Sequence, residues 1–437
     1  MPVRADLLLD SARAVVVCDD ASTVLHDASV AIADGQIVAI GPADELRGQV
    51  TAARSIDARG HVIMPGLVNL HTHLPMTLLR GVAENVDLQG FLELVWAEEA
   101  RVMDPAGVEL GARLGAVEAL LGGTTTALDM YFHPTAAHEG AVSAGLRHVI
   151  GPVFFSFPGP DGLSWDERMD LARGWPAELD RIGGPFVPPA FMPHAPFTVE
   201  VDHLAQIAQL ARETDGIVNT HTSENDKENN DTIAARGMRP VECLAASGVL
   251  PLSPVLAHGV RLDAHDRASV AAAGASVAHC PGSNLKLASG AADVVGYRAD
   301  GIRVGLGTDG CSSSNDLDMF AVMRLAANLA RLSEHDPAAI SAADITRMAT
   351  LEGARAIGMG DRIGSVEVGK EADLILIDTA VPHLTPLRDP HTAIVFAAGR
   401  SDVRHVLVAG DVVVEDRRAV RVDVPRLLDE ANARVEA

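Results

Sequence analysis

At 437 residues the chain is too long for one small domain, and it suits a large core with an accessory domain. A formal net charge of -24 repels polyanions, which argues against nucleic acid or an anionic membrane surface as partner and favours a small neutral or cationic guest. With 48% hydrophobic and 22% charged residues, the composition is that of a globular chain and not a disordered one.

No N-terminal stretch combines a basic start, an apolar centre and a small-residue cleavage site, and no apolar run approaches the ~20 residues of a membrane span. The sequence therefore reads as cytoplasmic. Cys18, Cys243, Cys280 and Cys311 show no paired spacing, which argues against both a disulfide framework and a thiolate zinc site.

In chain order, the stretch 5–62 holds short β-rich runs at 7–9, 14–17, 30–32 and 36–40, broken by Asp-Gly and Gly-Pro turns. A similar pattern returns at 364–368, 372–377, 403–408 and 411–414. Two β-rich ends around a different middle predict one small β-sandwich completed by both termini, from 1–62 plus 361–437. The middle, 63–360, alternates apolar runs with amphipathic helical stretches, the pattern of an α/β fold of (β/α)8 TIM-like barrel type. Eight strands are predicted at 63–69, 125–129, 148–154, 186–192, 217–220, 254–257, 276–278 and 303–305. Helices are expected at 106–121, 201–214 and 263–273, with two more at about 316–332 and 341–356. The Pro/Gly stretch 159–165 marks a loop that could form part of a lid.

In a barrel of this kind, function collects at the C-terminal ends of the strands. Six of the eight predicted strands end in His or Asp: His71 and His73, His194, His221, His258, His279 and Asp309. A single histidine after an apolar run is more often a core residue than a ligand. The joint pattern is hard to explain as packing, because buried ionisable groups cost several kcal/mol unless paired or metal-bound. His71 and His73, two residues apart on a strand, share a face and can meet one ion. Nitrogen ligands from His71, His73 and His221 with a carboxylate from Asp309 suit Zn²⁺, and would also accept Fe²⁺, Mn²⁺ or Co²⁺. Such an ion lowers the pKa of its water toward ~7 and so makes a nucleophile available at neutral pH. Glu224, three residues after His221, is placed to shuttle protons to a ring nitrogen and a leaving group. His258 is placed to stabilise the developing tetrahedral centre, and Asp309 to take the water's proton. His279 could equally well brace a loop through a backbone hydrogen bond.

Taken together, His71-Thr72-His73-Leu74-Pro75-Met76, Leu79-Arg80-Gly81, Pro193-His194-Ala195-Pro196, His221-Thr222-Ser223-Glu224, Ala257-His258, His279-Cys280-Pro281-Gly282-Ser283-Asn284-Leu285-Lys286-Leu287 and Gly307-Thr308-Asp309-Gly310 resemble the amidohydrolase superfamily over nearly the whole chain. The most similar branch is the aromatic aminohydrolases, which include the S-adenosylhomocysteine/5'-methylthioadenosine deaminases and triazine chlorohydrolase-like enzymes. The resemblance implies a single metal held by His71, His73, His221 and Asp309, with Glu224 and His258 acting in catalysis. It also puts His194 in the substrate pocket, brings Ser313 toward the substrate, and implies a homodimer or homotetramer.

Two departures bear on the substrate. The family's substrate-contacting glutamate usually follows a Trp-Pro pair, whereas here the run is Trp96-Ala97-Glu98-Glu99; Glu99 is the match and Glu98 its rival. Relatives that take charged-tail substrates often carry an arginine just after the third strand, where this chain has Gly151-Pro152-Val153-Phe154-Phe155-Ser156-Phe157-Pro158. The expectation is a deaminase acting on the adenine of a 5'-modified nucleoside. The rivals are guanine-type purines, pterins, or triazines with an amino or chloro leaving group. From another class comes a non-catalytic heterocycle-binding barrel, which predicts a damaged ligand set or a missing acid. Glu224 favours ammonia over chloride, because an amine must be protonated to depart.

Overall fold

The computed structural model describes residues 3–86 and 88–436. Strands from both termini join one hydrogen-bonded sheet of nine: Val3–Val16, Val24–Ala33, Gln36–Pro42, Val50–Asp57 and His61–Pro65 from the start, with Leu374–Asp378, Val403–Val408, Asp411–Glu415 and Arg418–Ala419 from the end. The first strand pairs antiparallel with Val24–Ala33 along one edge and changes partner along the other. Up to Asp10 it runs parallel to Val50–Asp57, and beyond a bulge it pairs with His61–Pro65. Ser11, at φ 63°, lies at that change of partner.

The middle of the chain builds parallel sheets. One contains Leu67–Thr72, Thr124–Asp129 and Arg147–Val149; the other contains Val153–Phe154, Ala190–Pro193, Ile217–Thr222, Val255–His258, Ser276–His279 and Arg303–Leu306. The free edges of the two sheets meet where the Asp309 N–H donates to the His71 carbonyl (3.0 Å), and the Asn69 side chain bonds both the N–H and the hydroxyl of Thr308.

Three predicted strands differ in extent. The run 63–69 is cut at Gly66, whose N–H turns to the Asp373 carbonyl (2.9 Å) and where a Cβ would collide with Thr125. Residues before the cut pair with Leu374–Asp378 in the terminal sheet, and only those after it join the parallel set. The run 148–154 splits into Arg147–Val149 and Val153–Phe154, because Pro152 offers no N–H and the Gly151 backbone lies against the Ala190 carbonyl. The run 186–192 is ordered as strand only over Ala190–Pro193, since Pro188 and Pro189 cannot donate to a ladder.

The predicted helices form, several of them with side-chain caps at their starts. Asp104 caps Pro105–Leu121 by accepting from the Gly107 N–H, and Asp318 caps Met319–Glu334. The helix expected at 341–356 breaks at Thr350 into Ala342–Met348 and Leu351–Ala356. The loop 159–165 is tied down: Asp161 pairs with the buried Arg168, which also donates to the Val153 carbonyl (3.1 Å). No helix among the described residues is long and apolar enough to cross a membrane.

A buried ion cluster fastens the parallel set to the terminal sheet. The Arg147 guanidinium donates to both oxygens of Asp373 (3.0 and 2.9 Å), to Glu371 and to the Phe186 carbonyl (2.6 Å). Asp373 in turn accepts from the Ala409 N–H (2.7 Å). Replacing Arg147 by Met leaves the buried Asp373 without its cation and Glu371 with Arg362 alone, and we expect a loss of about 3–5 kcal/mol in chemical denaturation. A loss below about 1 kcal/mol would show the cluster to be dispensable.

Candidate active site

His71 and His73 end the strand Leu67–Thr72, and His221 lies near the end of Ile217–Thr222. Their ligand atoms lie within 4.8 Å of one another, with His221 Nε2 only 3.4 Å from His73 Nε2. Each ring is oriented from behind. His73 Nδ1 donates to the Met130 carbonyl (2.6 Å) and His221 Nδ1 to the His194 carbonyl (2.7 Å). The Asn219 amide Nδ2 lies 3.3 Å from His71 Nδ1, and turning the amide over exchanges it for the otherwise unpartnered Oδ1. With the amide carbonyl oxygen facing that ring N–H, His71 joins the same pattern, and all three Nε2 lone pairs converge.

The donors fit a divalent ion. His71 Nε2 is buried without a hydrogen-bond partner, a state that costs about 1–3 kcal/mol unless something ligates it. Asp309 closes the set, with Oδ1 3.2 Å from His73 Nε2 and 3.8 Å from His71 Nε2. Its carboxylate also accepts from the Gly310 N–H (2.8 Å), and its backbone sits at φ 62°. Burial pushes the Asp309 acid up, but the His73 ring beside it outweighs burial and holds the group well below the usual carboxylate range. Burial lowers His71 and His221 far below the ordinary imidazole value, which keeps them in the neutral form that ligates.

Glu224 and His258 face each other over the same space. His258 Nε2 is 3.6 Å from Glu224 Oε2, and its Nδ1 donates to Asn284 Oδ1 (2.9 Å), which sets the ring. Burial raises the Glu224 carboxyl above the ordinary glutamate range. His258, though burial works against its charged form, is raised by the charge of Glu224.

A cleft opens beside these groups. It is lined by Glu99, Tyr131, Phe132, Phe155, His194, Phe197 and Ser313, among others, and among the described residues no Lys or Arg lines it. Glu99 is 3% exposed and accepts from the Tyr131 hydroxyl (2.7 Å) through Oε1, while its Oε2 has no partner. Burial pushes its pKa up to about 7. Glu98 instead pairs with Arg101 away from the cleft, which decides the rivalry of position between the two acids. His194 stacks on Phe155 with ring centroids 4.7 Å apart, and burial lowers its pKa to about 3. Ser313 donates to the Gly310 carbonyl (3.1 Å).

Of the three phenylalanines after the third strand, Phe154 is core, Phe155 lines the cleft and Phe157 is exposed. His279 is buried outside the cleft; its carbonyl accepts from the Gly307 N–H (3.0 Å), and neither ring nitrogen has a hydrogen-bond partner. Cys311 is buried, and burial pushes its thiol up. Sequence reasoning passed over Asn219, Met130, Tyr131, Asn284 and Glu228. For Asn219 a signal existed, since it stands two residues before His221 on one strand face; Tyr131 had none.

With the geometry in hand, comparison with known proteins is direct. Residues 62–413 match the Amidohydrolase family. A 5-methylthioadenosine/S-adenosylhomocysteine deaminase from Syntrophobacter fumaroxidans is 39% identical over 98% of this chain and 97% of its own. One from Halobacterium salinarum is 39% identical over 92% of this chain and 91% of its own. Among solved structures, an adenosine deaminase from Xanthomonas campestris with bound zinc superposes with a TM-score of 0.96 at 38% identity, covering 100% of this chain and 99% of that one. Atrazine chlorohydrolase from Arthrobacter aurescens complexed with zinc gives 0.90 at 26% identity, covering 98% and 100%. The chain belongs to the amidohydrolase family, as a hydrolytic aminohydrolase.

Proposed function

We propose that the protein is a zinc-dependent deaminase that releases ammonia from the adenine ring of a 5'-modified nucleoside. The observation that carries this reading is the meeting, in one cleft, of a convergent His71, His73, His221 and Asp309 set, the facing pair Glu224 and His258, and a buried Glu99 with a free carboxylate oxygen. The names of the deaminase relatives and the zinc in the adenosine deaminase structure support the same substrate class and metal.

When bound, the ion supplies a water-derived nucleophile at neutral pH. Asp309 accepts the proton of the attacking water. Glu224, its carboxyl raised by burial, gives a proton to the ring nitrogen beside the attacked carbon; the proton taken by Asp309 then passes to the departing amine, and Glu224 recovers a proton from the new hydroxyl as the oxo group forms. His258 donates from Nε2 to the oxygen that forms on that carbon, with its other nitrogen fixed by Asn284. Glu99 takes ribose hydroxyls through Oε2, with Tyr131 holding Oε1. Phe132, Phe155 and Phe197 form an apolar wall suited to an uncharged 5' group. Arg168 stands behind Phe155, 5.4 Å from its ring, with its charge spent on Asp161. A substrate carboxylate finds no cation in the cleft.

The architecture that goes with this reading is an eight-stranded parallel barrel over 63–360 and a small β-sandwich from 1–62 plus 361–437. The bonds between the strand edges at His71 and Asp309 support closure of the barrel.

Replacing Glu224 by Gln is expected to cut kcat by about 10³-fold while bound zinc, read by elemental analysis, is unchanged. Full activity in that variant would remove Glu224 from the mechanism. Ammonia release should be strong from 5'-methylthioadenosine, 5'-deoxyadenosine and adenosine, weak from S-adenosylhomocysteine, and absent from guanine, a pterin and an aminotriazine. Glu99→Gln should raise KM for the nucleosides about 10-fold, as expected for one lost hydrogen bond to a charged group. Release from a bare base alone would overturn the nucleoside reading.

A further inference from the structure

Glu224 is held by little of its own. Its carboxylate has only long neighbours, Ser289 Oγ at 3.5 Å and His258 Nε2 at 3.6 Å. A group that must give and take a proton gains from such looseness, but it then needs another anchor. The anchor is one helical turn further along the chain.

The helix Asp226–Arg236 begins directly after the loop that carries Glu224, and Asn225 caps it by accepting from the Glu228 N–H (2.8 Å). The side chain of Glu228 turns back to that loop. Its Oε1 accepts from the Ser223 N–H (3.0 Å) and its Oε2 from the Glu224 N–H (2.6 Å). Ser223 sits at φ 52°, a left-handed conformation that a serine adopts only where its surroundings impose it. Glu228 is 4% exposed, so the two N–H groups have no water to turn to if the carboxylate is removed. The far side of the loop is fastened too, by the Arg261 N–H to the Ser223 carbonyl (2.9 Å).

We infer that Glu228 is a positioning residue for catalysis, gripping two successive backbone N–H groups so that the Glu224 side chain is aimed at the cleft. The inference rests on the proposed role of Glu224. Glu228 itself touches no substrate, and its action is through the loop backbone. A carboxamide in its place keeps the volume but can accept only one of the two bonds, since its NH₂ faces the other N–H.

The test uses zinc-loaded Glu228→Gln with whichever panel compound the wild type turns over. We expect kcat to fall about 100-fold, as a displacement near 1 Å of a reacting group can produce, with KM within threefold and zinc content unchanged. Amide hydrogen exchange at Ser223 and Glu224 should quicken in the same protein. Asn225→Ala, which removes the helix cap but spares the grip, should lower Tm and keep kcat. If Glu228→Gln does not fold, Glu228→Asp, with its carboxylate drawn back by one methylene, takes its place with the same expected readouts.

A kcat within twofold of wild type, or an equal loss in Asn225→Ala, overturns the inference. A wild type that releases ammonia from no panel compound defeats the functional reading instead. In that case the exchange rates at Ser223 and Glu224 still decide whether the grip exists.

Discussion

Three imidazoles brought to one buried point are the constraint on which the rest of the molecule depends. A histidine ring offers a lone pair at one nitrogen only when the other nitrogen holds the proton, so each ring must be given an acceptor on its far side. The carbonyls of Met130 and His194 do this for His73 and His221, and Asn219 stands in the same place for His71. Those acceptors come from other strands and loops than the rings they serve. The register of the parallel strands is therefore part of the site's chemistry.

The loops around the rings are correspondingly strained. Ser223, His258 and Asp309 all take positive φ, and each stands at or just past the end of a parallel strand. Such conformations cost of order 1–3 kcal/mol and persist where neighbouring bonds over-determine them. At Asp309 those bonds are the Asp309 N–H to the His71 carbonyl and the Thr72 hydroxyl to the Asp309 carbonyl. At Ser223 they come from Glu228 and Arg261. The hydrophobic effect supplies the scaffold that bears this cost, and the Arg147 cluster ties that scaffold to the terminal sheet.

Burial then sorts the titratable groups by role. Desolvation raises the Glu99 and Glu224 carboxyls, while it lowers His194 and leaves it uncharged against Phe155. One physical effect thus shifts the carboxyls on one side of the cleft upward and leaves a neutral stacking surface on the other. Cations are kept out of the lining, with Arg168 neutralised behind the aromatic wall.

The sequence by itself determined the family and marked out the candidate donor set. His71, His73, His221, Glu224, His258 and Asp309 stand at strand ends in local motifs, and a two-residue spacing on a strand dictates a shared face wherever the strand lies. It also conveyed the alternating pattern of strand and helix, because hydrophobic periodicity is a local property. Only the tertiary structure decided where the first predicted strand is cut, since Gly66 acts through Asp373 and Thr125, which are distant in sequence. The choice of Glu99 over Glu98 as the acid lining the cleft depended on helix rotation against Tyr131. Asn219, Asn284 and Glu228 became visible as supports only when folding placed them behind His71, His258 and Glu224, because a hydrogen-bond partner is defined by distance in space and leaves no periodic trace along the chain.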